Sequence, residues 1–260
     1  MANSVCIATW NILAHRFAHV PGINPINSDR ECDIMRVIFN MLFKHTNCII
    51  CLQEVEPEFF QRLVQTIDDS RVRSFFAPHS DAVWPIQQYP HLCPADFNPP
   101  PINIGTAILA KVEANVSFEK IALDTQTGFV ATCVSVPVYN DLRVLSVHAA
   151  NTPALQSTHL EFLQTMLNSQ QNLVVAGDLN NATALAKHTN LRLRTYRANA
   201  KHDDFSAHDD AIACSEPNKI TNTQYWQMTT QPGLSDHAGV TCEYNFSCRP
   251  SFSNFRCVLQ

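Results

Sequence analysis

The sequence predicts an α/β fold within one domain, and three observations carry that prediction. Short apolar runs of strand length recur along the chain, and the clearest of them, Leu173–Ala176, ends abruptly at Gly177. Segments with apolar residues at helical spacing separate several of these runs, beginning with Arg30–Lys44. The length of 260 residues suits one large domain, and neither an internal repeat nor a linker divides it. We therefore expect a single domain over residues 1–260.

Composition describes a globular chain with an acidic balance. Apolar residues make up 45% of the chain, charged residues make up 16%, and the formal net charge is −5. This balance argues against a broad basic surface that grips nucleic acid by counterion release. A nucleic-acid substrate must therefore be short or held locally. We hypothesise that a protein partner supplies affinity for the substrate. Neither a membrane-spanning apolar run nor a secretory pattern is visible, so we expect a cytoplasmic or nuclear location without membrane association.

The ten cysteines suit a reducing compartment. Cys48 and Cys51 form a C-x-x-C motif, but they lie in an apolar run typical of a strand, on which residues three apart face opposite sides. That geometry makes a poor chelate, so we interpret both as buried thiols rather than zinc ligands. Cys248 and Cys257 could pair only in an oxidising setting.

The first half of the chain predicts two strands that each end at a polar residue. Ser4–Thr9 is β-prone and leads to Asn11, and a helix over Arg30–Lys44 with Ser28 as its N-cap follows. The second strand leads through an apolar run to Glu54, and a second helix begins near Pro57. A lone Asn at a strand end is usually a turn residue, and Glu54 is either a solvated acid or a ligand.

The second half of the chain predicts further strands, several of which end at polar residues. Residues 77–101 lack a clear period and predict a long surface excursion, which is either a substrate lid or a covering loop. The remaining predicted elements are strands at Thr106–Ala110, Ala131–Val138 and Arg143–Val147, with Gly128 in a connection, a helix over Thr158–Leu167, a strand around Ile212, and a last strand from Ala238 to Cys242.

The segment Leu173–Asn180 is the clearest of these strand ends. Residues i and i+2 of an extended chain point to the same side, so Asp178 and Asn180 can reach one point in space. Gly177 lacks a Cβ atom, which lets the backbone turn and lets a ligand come close. The alternative is a strand followed by an Asx turn, since Asp and Asn are common turn residues.

Six short motifs lie at or near predicted strand ends along nearly the whole chain: TWNIL at Thr9–Leu13, LQEV at Leu52–Val55, a strand ending at His148, GDLN at Gly177–Asn180, Asp210 before an apolar strand, and SDH at Ser235–His237. In this order they resemble the endonuclease/exonuclease/phosphatase superfamily of metal-dependent phosphoesterases. The resemblance implies a DNase I-like fold, which is a four-layer α/β/β/α sandwich of two mixed β-sheets with outer helices. The active site would lie where the strand ends converge.

The resemblance also implies a metal site. Glu54 is a suitable oxygen ligand for Mg²⁺, with Mn²⁺ as a substitute, and Asn11 would orient that carboxylate or a metal-bound water. Asp236 would serve as a second metal carboxylate.

The catalytic roles implied by the resemblance fall on the other strand ends. Asp178 would accept a proton from the attacking water, while Asn180 and His148 would contact the phosphate. His237 would contact the phosphate or act as general acid/base, and a neighbouring carboxylate would fix its tautomer. Either Asp209 or Asp210 could fill that orienting role, and the spacing to Ile212 favours Asp210. Asn151, just beyond His148, is a candidate substrate contact.

Within the superfamily the chain resembles the branch of poly(A) deadenylases and 2′-phosphodiesterases. The matching residues are Asn11–Ala14 and Ile50–Glu56, whereas Trp10 is more like the DNase I and tyrosyl-DNA phosphodiesterase branches. The resemblance therefore implies a Mg²⁺-dependent 3′-5′ exoribonuclease acting on RNA. The alternatives are a phosphatase or phosphodiesterase on small nucleotides such as 2′,5′-oligoadenylate, a DNA repair nuclease or tyrosyl-DNA phosphodiesterase, and a catalytically dead scaffold.

Overall fold

The computed structural model describes residues 4–12, 29–79, 104–181, 185, 210–226, 235, 237 and 239–246. Their strands and helices are, in chain order, β1 (Ser4–Asn11), α1 (Asp29–Lys44), β2 (Cys48–Val55), α2 (Pro57–Thr66), β3 (Val72–Pro78), β4 (Gly105–Lys111), β5 (Ser117–Ala122), β6 (Val130–Val136), β7 (Leu142–His148), α3 (Pro153–Ser169), β8 (Leu173–Asp178), β9 (Asp210–Cys214), β10 (Ile220–Trp226) and β11 (Gly239–Asn245). Within these residues, no helix has the length and apolarity needed to span a membrane.

The strands form two mixed sheets. The first sheet has the order β10-β11-β1-β2-β4-β3, and the second has the order β5-β6-β7-β8-β9. Each contains one parallel pair, β1 with β2 and β7 with β8, and its other described pairs are antiparallel. A parallel pair needs a long crossover, and α1 and α3 supply these connections. The predicted pair of mixed sheets is confirmed.

Alternation along β1 explains how the first sheet packs on both faces. Val5 and Ile7 belong to a core shared with the second sheet, whereas Cys6, Ala8 and Trp10 belong to a separate core with α1 and α2. Successive side chains of a strand point to opposite faces, so each face of β1 is apolar and buried. Helix α3 contributes apolar side chains to the core of the second sheet. The helices therefore lie outside the paired sheets, as the fold class predicts.

The two cysteines of the C-x-x-C motif lie on opposite faces of β2. Cys48 belongs to the core with α1 and α2, and Cys51 belongs to the core between the sheets. Both are fully buried and free. This confirms their interpretation as buried thiols.

The structure corrects the predicted elements at several places. Strands β3, β5 and β10 were not predicted. In β5, apolar and polar residues alternate poorly, and the strand is largely exposed at a sheet edge. Strands β3 and β10 lack a long apolar run. Ala77 and Pro78, the first residues of the predicted excursion, instead pair with β4. Strand β6 stops at Val136, since Pro137 has no N–H for the ladder and begins a 3₁₀ turn. Helix α3 begins at Pro153, where proline suits the first turn.

Several predictions fall outside the described residues. They concern the Ser28 cap, most of the 77–101 excursion, Asp209, Asp236, and the pair Cys248 and Cys257.

Candidate active site

Polar residues of both sheets meet at one end of the sandwich. Strands β1, β2, β7 and β8 end there, and the antiparallel β9 begins there. The register of the second sheet pairs His148 with Asp178, and Asp178 with Asp210. Three predicted site residues therefore lie side by side on neighbouring strands, next to the end of β1 at Asn11.

The Asn11 side chain joins the two sheets at this point. Its Nδ2 donates to Glu54 Oε1 at 2.9 Å and to Asp178 Oδ2 at 2.9 Å. All three residues are buried, and an amide group has two N–H donors, so one hydrogen serves each carboxylate. Asn11 thus fixes the two carboxylates relative to each other.

A backbone irregularity directs Glu54 into the site. The pairing of β2 with β4 shifts between Leu52 and Val55, and Glu54 adopts a φ of 54°. A non-glycine residue in this left-handed region costs about 1–3 kcal/mol and needs support from its surroundings. The bulge turns Glu54 toward Asn11 at the end of a strand that is otherwise regular and fully buried.

Two imidazoles lie near the same carboxylate oxygen of Asp178. The Nε2 atoms of His148 and His237 are each 3.7 Å from Asp178 Oδ2, and His148 Nε2 is 3.9 Å from Glu54 Oε1. Burial acts to raise the pKa of Asp178, but His237, His148, the Asn11 amide and a backbone N–H together hold that pKa below its ordinary value. Asp178 is therefore ionised at neutral pH.

His237 is held by one contact to its imidazole ring and two to its backbone. Asp210 Oδ2 lies 2.6 Å from its Nδ1, the Ser235 hydroxyl accepts from its backbone N–H at 3.1 Å, and Trp10 Nε1 donates to its carbonyl at 3.3 Å. The Ser235 hydroxyl also donates to the Asn11 carbonyl at 2.7 Å. The carboxylate on Nδ1 leaves Nε2 directed at Asp178. Ser235 and Trp10 were not predicted as supports, although both belong to the strand-end motifs.

Close backbone packing holds the end of β8. A Cβ atom on Gly177 would lie 1.9 Å from the Val147 carbonyl oxygen, so only glycine fits between β7 and β8. Asn180 then adopts a φ of 53°, its backbone N–H donates to Asp178 Oδ1 at 2.9 Å, and its Nδ2 donates to the Ala149 carbonyl at 2.7 Å. The segment forms the Asx turn that the alternative interpretation describes, and the functional roles of Asp178 and Asn180 stay predictions.

The donor set suits a hard divalent cation. One ligand atom each from Glu54, His148 and Asp178 lie within 4.8 Å of one another, and all three residues are buried. Two carboxylates so close together favour a cation between them over mutual repulsion, and oxygen donors suit Mg²⁺ and Mn²⁺.

A fully buried polar chain lies beneath the site. Thr9 donates to Gln53 at 3.2 Å, Gln53 donates to Ser146 at 3.0 Å, and Ser146 donates to the Leu52 carbonyl at 3.1 Å. It joins β1 and β2 to β7 just behind Asn11, Glu54 and His148. This role of Gln53 was not predicted, and its only signal in the sequence is a polar residue next to Glu54 in an apolar run.

The predicted substrate contact Asn151 lies just beyond the end of β7. Asn151 is exposed.

Comparisons with known proteins identify the family of the chain. A model described as Endonuclease/Exonuclease/phosphatase family matches residues 8–254. Among curated proteins, none matches the chain by sequence.

Solved structures share the fold at low sequence identity. D. rerio TDP2 complexed with single strand DNA product is 16% identical and has a TM-score of 0.55, with 94% of this chain and 100% of that chain covered. The human Nocturnin catalytic domain with bound sulfate is 18% identical with a TM-score of 0.54, covering 95% and 96%. ANGEL2, described as a 2′,3′-cyclic phosphatase, is 10% identical with a TM-score of 0.58, covering 93% and 95%. Because the family model spans nearly the whole sequence, the chain belongs to the endonuclease/exonuclease/phosphatase family, whose members are phosphoric diester hydrolases.

Proposed function

We propose that this chain is a Mg²⁺-dependent phosphodiesterase that releases nucleotides from the 3′ end of RNA. The observation that carries the hydrolytic part is the single Asn11 amide bonded to both Glu54 and Asp178, with the His237–Asp210 pair beside them. Two sheets contribute to this cluster, so the fold itself brings the groups together. A dead scaffold would not need all of these buried polar groups at one point.

Asp178 is the residue proposed to accept a proton from the attacking water. Its lowered pKa keeps the carboxylate ionised, and Asn11 and the Asn180 backbone N–H hold its two oxygens in place. A general base must be ionised and held in position, and these two observations support that role for Asp178.

His237 and His148 are proposed to contact the phosphate. Their Nε2 atoms lie on the same side of the cluster, each 3.7 Å from Asp178 Oδ2. A phosphate oxygen beside them would accept hydrogen bonds from their N–H groups as negative charge develops on that oxygen. With Asp210 on Nδ1, His237 can also hold a proton at Nε2 for the leaving group.

The amide of Asn180 is proposed as a further donor to the phosphate. One of its two N–H groups is committed to the Ala149 carbonyl, which leaves the other for a ligand. Asn151, exposed beyond His148, is proposed to contact the substrate chain.

Glu54 is proposed as the principal metal ligand, with Asp178 close enough to contribute. Asp236 is proposed as a second carboxylate, as the family resemblance implies. Bound there, Mg²⁺ or Mn²⁺ would neutralise charge on the phosphate and favour ionisation of water.

An RNA 3′ end is favoured by the resemblance of the Asn11 and Glu54 motifs to the deadenylase branch. The fold is also shared with Nocturnin, with ANGEL2 and with TDP2 bound to a DNA product. A small nucleotide such as 2′,5′-oligoadenylate is the second candidate, because the net charge of −5 disfavours a long polyanion without a protein partner.

A labelled substrate panel distinguishes these candidates. Poly(A) RNA, mixed-sequence RNA, single-stranded DNA, 2′,5′-triadenylate and 5′-tyrosyl DNA are each incubated with the protein and Mg²⁺. The proposal predicts stepwise shortening of RNA from its 3′ end and weaker turnover of the others. Faster turnover of 2′,5′-triadenylate supports the small-nucleotide candidate, and preference for either DNA overturns the RNA assignment. Metal binding without any turnover supports the scaffold alternative.

A further inference from the structure

A second histidine–carboxylate pair lies behind the site, outside all six strand-end motifs. His159 of α3 is fully buried, and its Nε2 lies 2.7 Å from Asp124 Oδ2 in the turn that follows β5. Asp124 Oδ1 also accepts from the backbone N–H groups of Gln126 and Thr127, and the Thr127 hydroxyl donates to Oδ2. The carboxylate is therefore held firmly by its own turn.

The other nitrogen of the ring determines what the pair does. His159 Nδ1 lies 3.1 Å from the backbone nitrogen of Ala150, which can only donate. Nδ1 must therefore be the acceptor, and the ring proton must be on Nε2, facing Asp124. Since Ala150 follows His148 closely in the chain, the pair holds the loop that leaves β7 at the site.

The hydrogen bonds continue from this loop to a proposed phosphate contact. The residue before Ala150 is Ala149, whose carbonyl accepts from Asn180 Nδ2 at 2.7 Å. The Ala149 backbone N–H donates to the Asp178 carbonyl at 2.8 Å. The orientation of the Asn180 amide therefore depends on the position of the Ala149–Ala150 peptide.

Packing alone does not require this arrangement. The Phe129 ring meets the His159 ring at a centroid distance of 5.0 Å, in a T-shaped contact that another aromatic residue could also make. Replacing both partners of a buried hydrogen bond by apolar side chains of the same shape can be nearly neutral or stabilising. The imidazole of His159 provides an acceptor in a fixed direction for the Ala150 N–H, which an apolar ring cannot provide.

We propose that Asp124 and His159 are positioning residues that fix the Ala149–Ala150 peptide and, through it, the side-chain amide of Asn180. The catalytic consequence rests on the proposed function, in which Asn180 contacts the phosphate. The hydrogen bonds of the pair go to the Ala150 backbone and to the turn at Gln126 and Thr127.

Two substitutions of similar size separate the two hydrogen bonds of His159. In His159→Asn, the amide oxygen can replace Nδ1 and still accept from Ala150. In His159→Gln, the longer side chain reaches toward Asp124 and leaves Ala150 without its acceptor. His159→Phe fills the space and removes both bonds.

Each variant is measured in two ways. Amide exchange of Ala150 and the side-chain amide signal of Asn180 are followed by NMR, and kcat and KM are measured on the preferred substrate with Mg²⁺. We expect His159→Asn to keep slow Ala150 exchange and kcat within about threefold of the wild type. We expect His159→Gln and His159→Phe to speed Ala150 exchange, shift the Asn180 signal and lower kcat about tenfold, with KM within about twofold.

The proposal is overturned if His159→Gln keeps the wild-type Ala150 exchange and Asn180 signal, or if His159→Asn loses as much kcat as His159→Gln. Should a position-159 variant not fold, Asp124→Ala replaces it, because alanine removes the acceptor that faces His159 Nε2, and a wild-type Asn180 signal in that variant is equally contradictory. If the wild type hydrolyses none of the substrates, the proposed function fails, and the NMR measurements alone then decide whether the pair positions Asn180.

Discussion

Glu54 and Asp178 lie in different sheets, yet both accept from one nitrogen, Asn11 Nδ2, at 2.9 Å. An amide donor reduces the repulsion between two buried carboxylates without cancelling their charge. A cation near both would do so more completely. This relationship explains why a largely apolar strand, β1, ends at a buried polar residue.

Glu54→Gln should abolish the stabilisation of the folded protein by Mg²⁺. The variant removes a charged ligand and one of the two facing carboxylates. We therefore expect its melting temperature without metal to equal or exceed that of the wild type, and not to rise when Mg²⁺ is added. Turnover should fall by about 10²-fold or more. Thermal unfolding with and without Mg²⁺ measures the first effect.

Glu31→Gln is the matched control, because Glu31 forms an exposed ion pair with Arg62 on the helical side of the first sheet. It should leave both the metal response and turnover unchanged. A Mg²⁺ response of Glu54→Gln equal to that of Glu31→Gln would remove Glu54 from the metal site.

Asp210→Asn should lower kcat more than it changes KM. The asparagine keeps a hydrogen-bonding partner 2.6 Å from His237 Nδ1 but loses the charge that favours a protonated imidazole. We expect kcat to fall by about 10²-fold or more, within the usual range for acid–base groups. Steady-state kinetics test this, and a variant with unchanged kcat would show that His237 works without its carboxylate.

Gly177→Ala should destabilise the protein strongly. Its Cβ atom would lie 1.9 Å from the Val147 carbonyl, so β7 and β8 would have to separate. Overpacking of this kind costs about 1–3 kcal/mol or more in unfolding free energy, which urea denaturation measures.

Gly128→Ala provides the comparison for this backbone effect. Gly128 has a φ of 77° in the turn before β6, so alanine there should cost only about 1–2 kcal/mol through its left-handed conformation. Its effect on turnover should be small, whereas Gly177→Ala should also reduce turnover. Equal losses of activity in the two variants would contradict the special role of position 177.

The buried His79 should make stability depend on pH. Burial, followed by the nearby His148 and His159, lowers the pKa of His79 well below its usual value of 6.5. At position 79 the unfolded chain therefore binds a proton more readily than the folded one. The stability that the folded protein has with a neutral His79 is fully present above pH 6.5 and is lost as the pH falls below it. His79→Phe should show a shallower fall in unfolding free energy between pH 6.5 and 4.5, by up to about 1.4 kcal/mol per pH unit. An identical slope in both proteins would be the contrary result.

Local patterns predicted much of the site because its groups stand at the ends of apolar runs. Asn11, Glu54 and Asp178 each follow residues that must be buried, so their polarity stands out in the sequence itself. Edge strand β5 gave no such contrast, since its residues are mostly exposed.

The supports of the site could not be predicted in the same way. Asp124 and His159 are 35 positions apart and meet only when α3 packs near the turn after β5. The left-handed φ of Glu54 likewise results from a shift in pairing with β4, which no residue of β2 reveals.

Metal-dependent hydrolysis at this cluster is tested most simply by the initial rate on a generic diester, bis(4-nitrophenyl) phosphate, as a function of Mg²⁺ concentration. The wild type, Asp178→Asn and Glu54→Gln are compared. We expect saturable, Mg²⁺-dependent hydrolysis by the wild type that chelation abolishes, and loss of about 10²-fold or more in each variant. Hydrolysis that is independent of metal, or that persists at the wild-type rate in Asp178→Asn, would contradict the proposed roles of Glu54 and Asp178.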